Sequence, residues 1–219
     1  MKTIVCYGDS NTWGHRSYRV RQTNPALMRF PWGVRWTSLL QQKLGQDYRV
    51  EECGLNGRTT MFDDPLAEDR NGLASINVTL QMHYPVDMVI IMLGTNDVKE
   101  FFGMPPYIIA RGAGRIIEKI QQGTYGPDGG VPEILLVAPL KLNPSVMDGW
   151  IAGEFGASSV EKDAQLAGNY AQVAKDLGVH FMNAAEYVTA DEGDGVHMNE
   201  EGHAVMAEKM FEQVKNILG

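Results

Sequence analysis

The chain has 219 residues, 44% of them hydrophobic, and a formal net charge of −8. This size and composition predict one domain, residues 1–219, with a single core. The acidic balance and the lack of a Lys/Arg-rich run argue against nucleic acid or an anionic membrane as partner, because both attract concentrated positive charge. The first apolar run, IVCY, is too short for a signal peptide, so we expect a cytoplasmic protein.

Apolar runs alternate with helical patterns along the chain. The runs predict five β-strands, at residues 3–7, 48–54, 87–94, 133–139 and 179–186. Apolar residues at helical spacing predict five helices, at residues 34–45, 70–84, 105–123, 158–178 and 199–219. The alternation predicts an α/β protein, a three-layer α/β/α fold with a five-stranded parallel sheet.

Three long connections follow predicted strands, at residues 11–33, 95–104 and 140–157. Each therefore lies at the carboxyl edge of the sheet, where this architecture binds ligands. Their aromatic side chains either line a pocket or pack against another subunit, because large apolar loops are unfavourable in water. These aromatic residues are Trp13, Phe30, Trp32, Phe101, Phe102, Trp150 and Phe155. Cys6 and Cys53 lie in predicted strands and are expected to be buried free thiols.

Ser10 directly follows the first predicted strand, in the stretch GDSN. A serine nucleophile needs a base, and His197 is the best candidate because it lies in a polar, Gly-rich loop before the last helix. Asp194 precedes it by three residues, a spacing that lets the carboxylate reach Nδ1 and leaves Nε2 free as the base. Alternatively, Asp194 is an ordinary turn residue and His197 only precedes a helix cap. Asp9 is expected to hold the Ser10 loop.

Acyl transfer also needs hydrogen-bond donors for the oxyanion. Asn96, in LGTND, follows the third predicted strand and can offer its side-chain amide. Gly57, in GLNG, follows the second strand and can offer an unobstructed backbone N–H. Each of these residues could instead be an ordinary turn former.

The motifs GDSN, GLNG, GTND and DGVH follow the first, second, third and fifth predicted strands in that order. This ordered set resembles the SGNH (GDSL-type) hydrolase superfamily over nearly the whole chain. The resemblance implies a flavodoxin-like topology and a serine esterase. It implies a catalytic triad of Ser10, Asp194 and His197, with Ser10, Gly57 and Asn96 forming the oxyanion hole. It also implies that the following residues bind substrate: Asn11, Trp13, Thr95 and Val196.

Longer stretches, such as EECGLNGRTT and DMVIIMLGTND, are similar to the oligomeric aryl-esterase and acyltransferase branch known from mycobacteria. This similarity implies acyl transfer to alcohols or hydrogen peroxide beside hydrolysis, and a homo-oligomer such as the octamer of that branch. Two residues differ from the pattern. Asn11 stands where GDSL has Leu, and His15 stands where an aromatic residue is expected near the acyl pocket.

The leading prediction is a serine esterase that acts on small acetyl or short-acyl esters. A carbohydrate O-deacetylase ranks second, because the apolar loops favour a narrow hydrophobic entry over a wide sugar site. A flavodoxin-like binding module without ester chemistry is a remote alternative that leaves the ordered motifs unexplained. The chain lacks G-x-S-x-G, GxxxxGK[ST] and a GxGxxG after the first strand, and no cofactor or metal is predicted.

Overall fold

The computed structural model describes residues 1–19 and 24–219, which contain a central five-stranded parallel sheet. Residues 20–23, within the predicted connection 11–33, lie outside the described residues. The strands are β1 (Lys2–Gly8), β2 (Tyr48–Gly54), β3 (Met88–Met92), β4 (Glu133–Ala138) and β5 (His180–Asn183). Their order is β2-β1-β3-β4-β5, which confirms the flavodoxin-like topology.

Seven α-helices lie in the described part of the chain. They are α1 (Ser10–Trp13), α2 (Pro25–Met28), α3 (Trp36–Leu44), α4 (Gly72–Met82), α5 (Pro106–Gln121), α6 (Ala157–Leu177) and α7 (Glu200–Leu218). Helices α3 and α7 contribute to the core on one face of the sheet, and α4, α5 and α6 contribute to the core on the other. This arrangement confirms the three-layer fold. No helix within the described ranges combines the length and the apolarity needed to cross a membrane.

Alternate residues of the central strands face opposite layers. Val5 and Ile91 pack with the α4–α6 side, whereas Ile4 and Ile90 pack with the α3 and α7 side. Because both faces of the sheet are covered, β3 can be apolar throughout.

Two details differ from the sequence-based expectation. Strand β5 is shorter than predicted, because Ala184–Glu186 form a 3-10 helix that the Asn183 side chain caps by accepting the N–H of Ala185. Both cysteines are free thiols, but only Cys6 is fully buried. Cys53 is partly buried because β2 is the edge strand of the sheet.

The fold brings several strand ends to one edge of the sheet. In strand order 2-1-3-4-5, the chain leaves β1 for β2 on one side and returns to β3 on the other. The crevice beyond the carboxyl ends of β1 and β3 is the topological switch point, which is the usual ligand position in open parallel sheets.

Candidate active site

Ser10 is the first residue of α1 and lies directly beyond the end of β1. Asp9 caps this helix, since its Oδ1 accepts the N–H of Asn11 at 2.9 Å. Burial raises the pKa of Asp9 to about 6, although the Asn11 hydrogen bond and the charge of His197 act in the opposite direction. Asp9 therefore holds the turn that presents Ser10, and a different carboxylate contacts the base.

The side chains of Ser10, His197 and Asp194 form a continuous hydrogen-bonded chain. His197 Nε2 lies 2.9 Å from Ser10 Oγ, and His197 Nδ1 lies 2.7 Å from Asp194 Oδ2. All three residues are buried, with exposed fractions of 5%, 8% and 1% respectively. This is the geometry in which an imidazole takes a proton from a serine hydroxyl while a carboxylate fixes its orientation.

The loop that carries His197 is folded by Asp194 itself. Asp194 Oδ1 accepts the N–H groups of Val196 and His197, each at 2.9 Å, while Oδ2 holds the imidazole ring. Gly195 has a φ of +79°, and a Cβ there would lie 2.4 Å from the backbone nitrogen of Val146. Burial raises the pKa of Asp194, but the charge of His197 and these hydrogen bonds together lower it to about 2. Asp194 is thus ionised at neutral pH.

Three potential oxyanion donors come from the segments that follow β1, β2 and β3. Ser10, Gly57 and Asn96 all line the cavity that contains His197. Gly57 has a φ of +78°, a backbone conformation that glycine adopts without strain. Asn96 Nδ2 donates to the carbonyl of Arg58 at 3.0 Å, which fixes the amide and leaves its second N–H for a ligand. Across the described residues, no protein acceptor is bonded to the N–H of Ser10 or Gly57.

Two further contacts hold these loops together, and the sequence analysis missed both. Asp97 accepts the Thr60 N–H at 2.9 Å and the Thr60 hydroxyl at 2.6 Å, which ties the β3 loop to the β2 loop. Arg58 donates to the carbonyls of Gly8 and Cys53, and its guanidinium lies 4.2 Å above the Tyr7 ring. The available signal was that Arg58, Thr60 and Asp97 lie in the connections that follow β2 and β3, at the edge of the sheet where the site forms.

Of the four residues predicted to bind substrate, Val196 lines the cavity, whereas Asn11, Trp13 and Thr95 are not among the lining residues. Asn11 instead binds the His197 loop, because its Nδ2 donates to the Val196 carbonyl and its Oδ1 accepts the Met198 N–H, both at 3.1 Å. Thr95 is buried beside Asp9. Trp13 is only partly buried, and its ring packs under the Arg29 guanidinium at 4.9 Å. Each of these three side chains thus contacts neighbouring parts of the site.

His15 lies directly beside the base. Its ring centroid is 4.3 Å from that of His197, and the side chain lines the cavity. Burial and the charge of His197 lower the pKa of His15 to about 3. A neutral imidazole therefore packs against the catalytic one at ordinary pH.

The cavity has a volume of about 410 Å³, and its lining is more polar than the sequence suggested. Of the aromatic residues predicted in the long connections, only Trp150 and Phe155 line it. Charged residues contribute to the lining as well. These are Asp64, Arg70, Lys99 and Glu154. The expected hydrophobic entry is therefore present only in part, because charged side chains share the lining with apolar ones.

Comparison with known proteins identifies the family. The model of the GDSL-like lipase/acylhydrolase family matches residues 6–205. The aryl esterase of M. smegmatis is 34% identical, with a TM-score of 0.92 over 99% of this chain and 100% of that one. Est24, a carbohydrate acetylesterase from Sinorhizobium meliloti, is 35% identical, with a TM-score of 0.91 over the same shares of the two chains. The comparison with curated proteins found no match.

The family match spans most of the chain, and the residues that carried the predicted resemblance, Ser10, Gly57, Asn96 and His197, all line one cavity. The hydrogen-bonded chain from Ser10 to Asp194 supplies the chemistry that the family name describes. The protein belongs to the GDSL-like lipase/acylhydrolase family and is a serine ester hydrolase.

Proposed function

We propose that the protein hydrolyses small acetyl and short-acyl carboxylic esters through an acyl-enzyme on Ser10. The observation that carries this proposal is the 2.9 Å contact between Ser10 Oγ and His197 Nε2 within a cavity of about 410 Å³. A cavity of this size accommodates a small ligand.

In the first half-reaction, His197 Nε2 takes the Ser10 proton while Ser10 Oγ attacks the ester carbonyl carbon. The resulting oxyanion accepts hydrogen bonds from the Ser10 and Gly57 N–H groups and from the Asn96 amide. When the tetrahedral intermediate collapses, the C–O bond to the alcohol breaks and His197 gives its proton to the departing oxygen. Ionised Asp194 stabilises the imidazolium during these steps.

In the second half-reaction, water takes the place of the alcohol. His197 removes a proton from the water, whose oxygen attacks the acyl carbon, and the same three donors bind the second oxyanion. Collapse returns the proton to Ser10 and releases the carboxylic acid. An alcohol or hydrogen peroxide that enters the cavity in place of water would accept the acyl group, and this transfer is part of the proposal.

Carbohydrate O-deacetylation is a second candidate that the cavity lining favours. Asp64, Arg70, Lys99 and Glu154 provide charged donors and acceptors that could hydrogen-bond sugar hydroxyls. The similarity to Est24, a carbohydrate acetylesterase, supports the same candidate.

A panel of p-nitrophenyl esters of increasing acyl length, together with acetylated sugars, tests both candidates, each with and without added alcohol. We expect p-nitrophenyl acetate and butyrate to be hydrolysed and long-chain esters to be poor substrates. Added alcohol should accelerate nitrophenol release and yield a new ester. Turnover of long-chain esters only would contradict the proposal. Preferred turnover of acetylated sugars would favour deacetylation.

We also propose that the chain forms a homo-oligomer. Several apolar side chains are exposed in the connections, including Leu66 at 74%, Trp32 at 61% and Trp150 at 39%. Burial of such side chains stabilises subunit contacts. Light scattering should give a multiple of the 24.2 kDa chain mass, and a strict monomer would contradict the proposal. The cytoplasmic location remains a prediction that cell fractionation can test.

A further inference from the structure

Arg70 lines the catalytic cavity and has no carboxylate partner among the described residues. Lys99, the other cation of the lining, lies 2.7 Å from Glu154 and 3.9 Å from Asp64. The lining thus holds two cations and two carboxylates, and their charges cancel. Because both carboxylates face Lys99, the positive charge that remains available to a ligand belongs to Arg70.

Arg70 packs against the loop that carries the oxyanion donor Gly57. A Cβ on Gly57 would lie 3.3 Å from Cδ and 3.3 Å from Nε of Arg70. The guanidinium therefore shares the cavity with Ser10 and lies beside one of the groups that would bind the reacting carbonyl. A ligand group held by Arg70 is thereby placed close to the scissile ester bond.

The hydrogen bonding of Arg70 leaves most of its donors free. Nη1 donates to the carbonyl oxygen of Glu68 at 2.7 Å, which anchors the side chain from its own loop. A guanidinium carries five N–H donors, so four remain. Their planar arrangement matches the two oxygens of a carboxylate, with which arginine forms paired hydrogen bonds.

We propose that Arg70 binds a carboxylate of the substrate, so that the enzyme prefers esters that carry a carboxylate near the scissile bond. An O-acetylated acidic sugar and a half-ester of a dicarboxylic acid both have this chemistry. The inference rests on the proposed esterase function and narrows its substrate class. The carboxylate belongs either to the acyl part or to the alcohol part, and matched substrates distinguish the two.

The kinetic test uses two pairs of esters that differ in charge. For the acyl side, p-nitrophenyl hemiglutarate is compared with p-nitrophenyl valerate. For the alcohol side, p-acetoxybenzoate is compared with p-acetoxybenzamide. Wild-type protein should prefer the carboxylate member of at least one pair. Arg70→Gln should lower kcat/KM for that member by about tenfold to hundredfold, since hydrogen bonds to a charged group are lost.

Neutral esters and matched variants serve as controls. Arg70→Gln should lower kcat/KM less for the neutral esters than for the carboxylate esters, so that the ratio between the two members of a pair falls toward one. Arg70→Lys should give an intermediate loss, since it retains the charge without the planar fork. Arg115→Gln removes a positive charge from an exposed position on α5 and should change neither pair. Circular dichroism and Tm check that the variants are folded.

A binding measurement separates recognition from turnover. In Ser10→Ala protein, calorimetry should show tighter binding of a carboxylate ester than of its neutral partner, and adding Arg70→Gln should remove the difference. No carboxylate preference in either pair, or a preference that survives Arg70→Gln, overturns the proposal. An equal loss on neutral and carboxylate esters also overturns it and assigns Arg70 to the oxyanion. Wild-type protein without esterase activity contradicts the proposed function instead, while the binding comparison still decides the role of Arg70.

Discussion

The proposed catalytic residues and the cavity wall around them are stabilised in different ways. Ser10, Asp194 and His197 are almost fully buried, and hydrogen bonds within their own turns hold them in place. The wall includes charged side chains from long connections, and that of Glu154 is 40% exposed. Hydrogen-bonded turns thus hold the proposed catalytic residues, and we propose that the packing of the long connections sets the choice of substrate.

Asp194→Asn should have the largest effect, because it removes the charge that orients and stabilises the His197 imidazolium. We expect kcat to fall by about ten thousandfold, as in other Ser-His-Asp triads when the carboxylate becomes an amide. Steady-state kinetics with p-nitrophenyl acetate measure this loss.

Glu192→Gln is the matched control, since Glu192 is an exposed carboxylate two residues away that lies outside the catalytic cavity. Its kcat should remain close to that of wild type. A similar loss in both variants would mean that Asp194 acts only through the fold of its loop.

Asn96→Ala should have the next largest effect, since it removes one oxyanion donor. We expect kcat to fall by about a hundredfold to a thousandfold. Asn169→Ala, on the exposed face of α6, provides the control. If Asn96→Ala raised KM and left kcat unchanged, Asn96 would bind the ground state and would have no special role in the transition state.

A moderate effect is expected on the pH dependence of stability. It comes from two buried histidines near His197, which are His15 and His203. Burial is the main reason that the pKa values of His15 and His203 are lowered to about 3, and the charge of His197 adds to it. The unfolded chain takes up protons on both residues below its ordinary histidine pKa of about 6.5, while the folded protein does not do so until about pH 3. The free energy of unfolding therefore falls as the pH decreases from about 6.5 to about 3. Above about pH 6.5 these two residues cause no such loss.

His15→Phe tests this linkage, since it keeps an aromatic ring beside His197 and removes one titrating group. Urea unfolding at about pH 7 and about pH 4.5 should show that the variant loses less stability on acidification than wild type does. Equal losses in the two proteins would show that His15 does not contribute to the acid sensitivity.

The smallest effect should come from Glu154→Gln, which removes one of the two carboxylates facing Lys99. Because Glu154 touches none of the reacting groups, we expect kcat to stay within about threefold of wild type while KM changes. Michaelis–Menten kinetics on neutral and charged esters measure both values. A large fall in kcat would show that a residue of the cavity wall also takes part in the chemical step, which would contradict the comparison.

The sequence predicted those features of the fold and the site that depend on residues close together in the chain. The D-x-x-H spacing predicted the contact between Asp194 and His197. A separation of three residues that includes Gly195 is enough to fold the carboxylate back onto the imidazole ring. The five parallel strands followed from apolar runs that helical patterns separate. These features depend on short-range backbone geometry and on burial.

The cavity wall and the contacts between loops were not predicted, because they depend on pairs far apart in the chain. Asn11 was assigned to the substrate pocket, yet its amide binds a carbonyl 185 residues away. Nothing in the local pattern shows that Arg70 turns into the cavity, or that Trp32 remains 61% exposed. Which side chains of a long connection point inward is decided by tertiary packing.

Labelling with a fluorophosphonate tests the central claim most directly, because this reagent reacts with a serine that a neighbouring base activates. Peptide mapping of the labelled, folded protein should place one adduct on Ser10, and Asp194→Asn should slow the reaction strongly. Wild-type protein without an adduct at Ser10, or with its adduct on another residue, would contradict the assignment of Ser10 as the nucleophile.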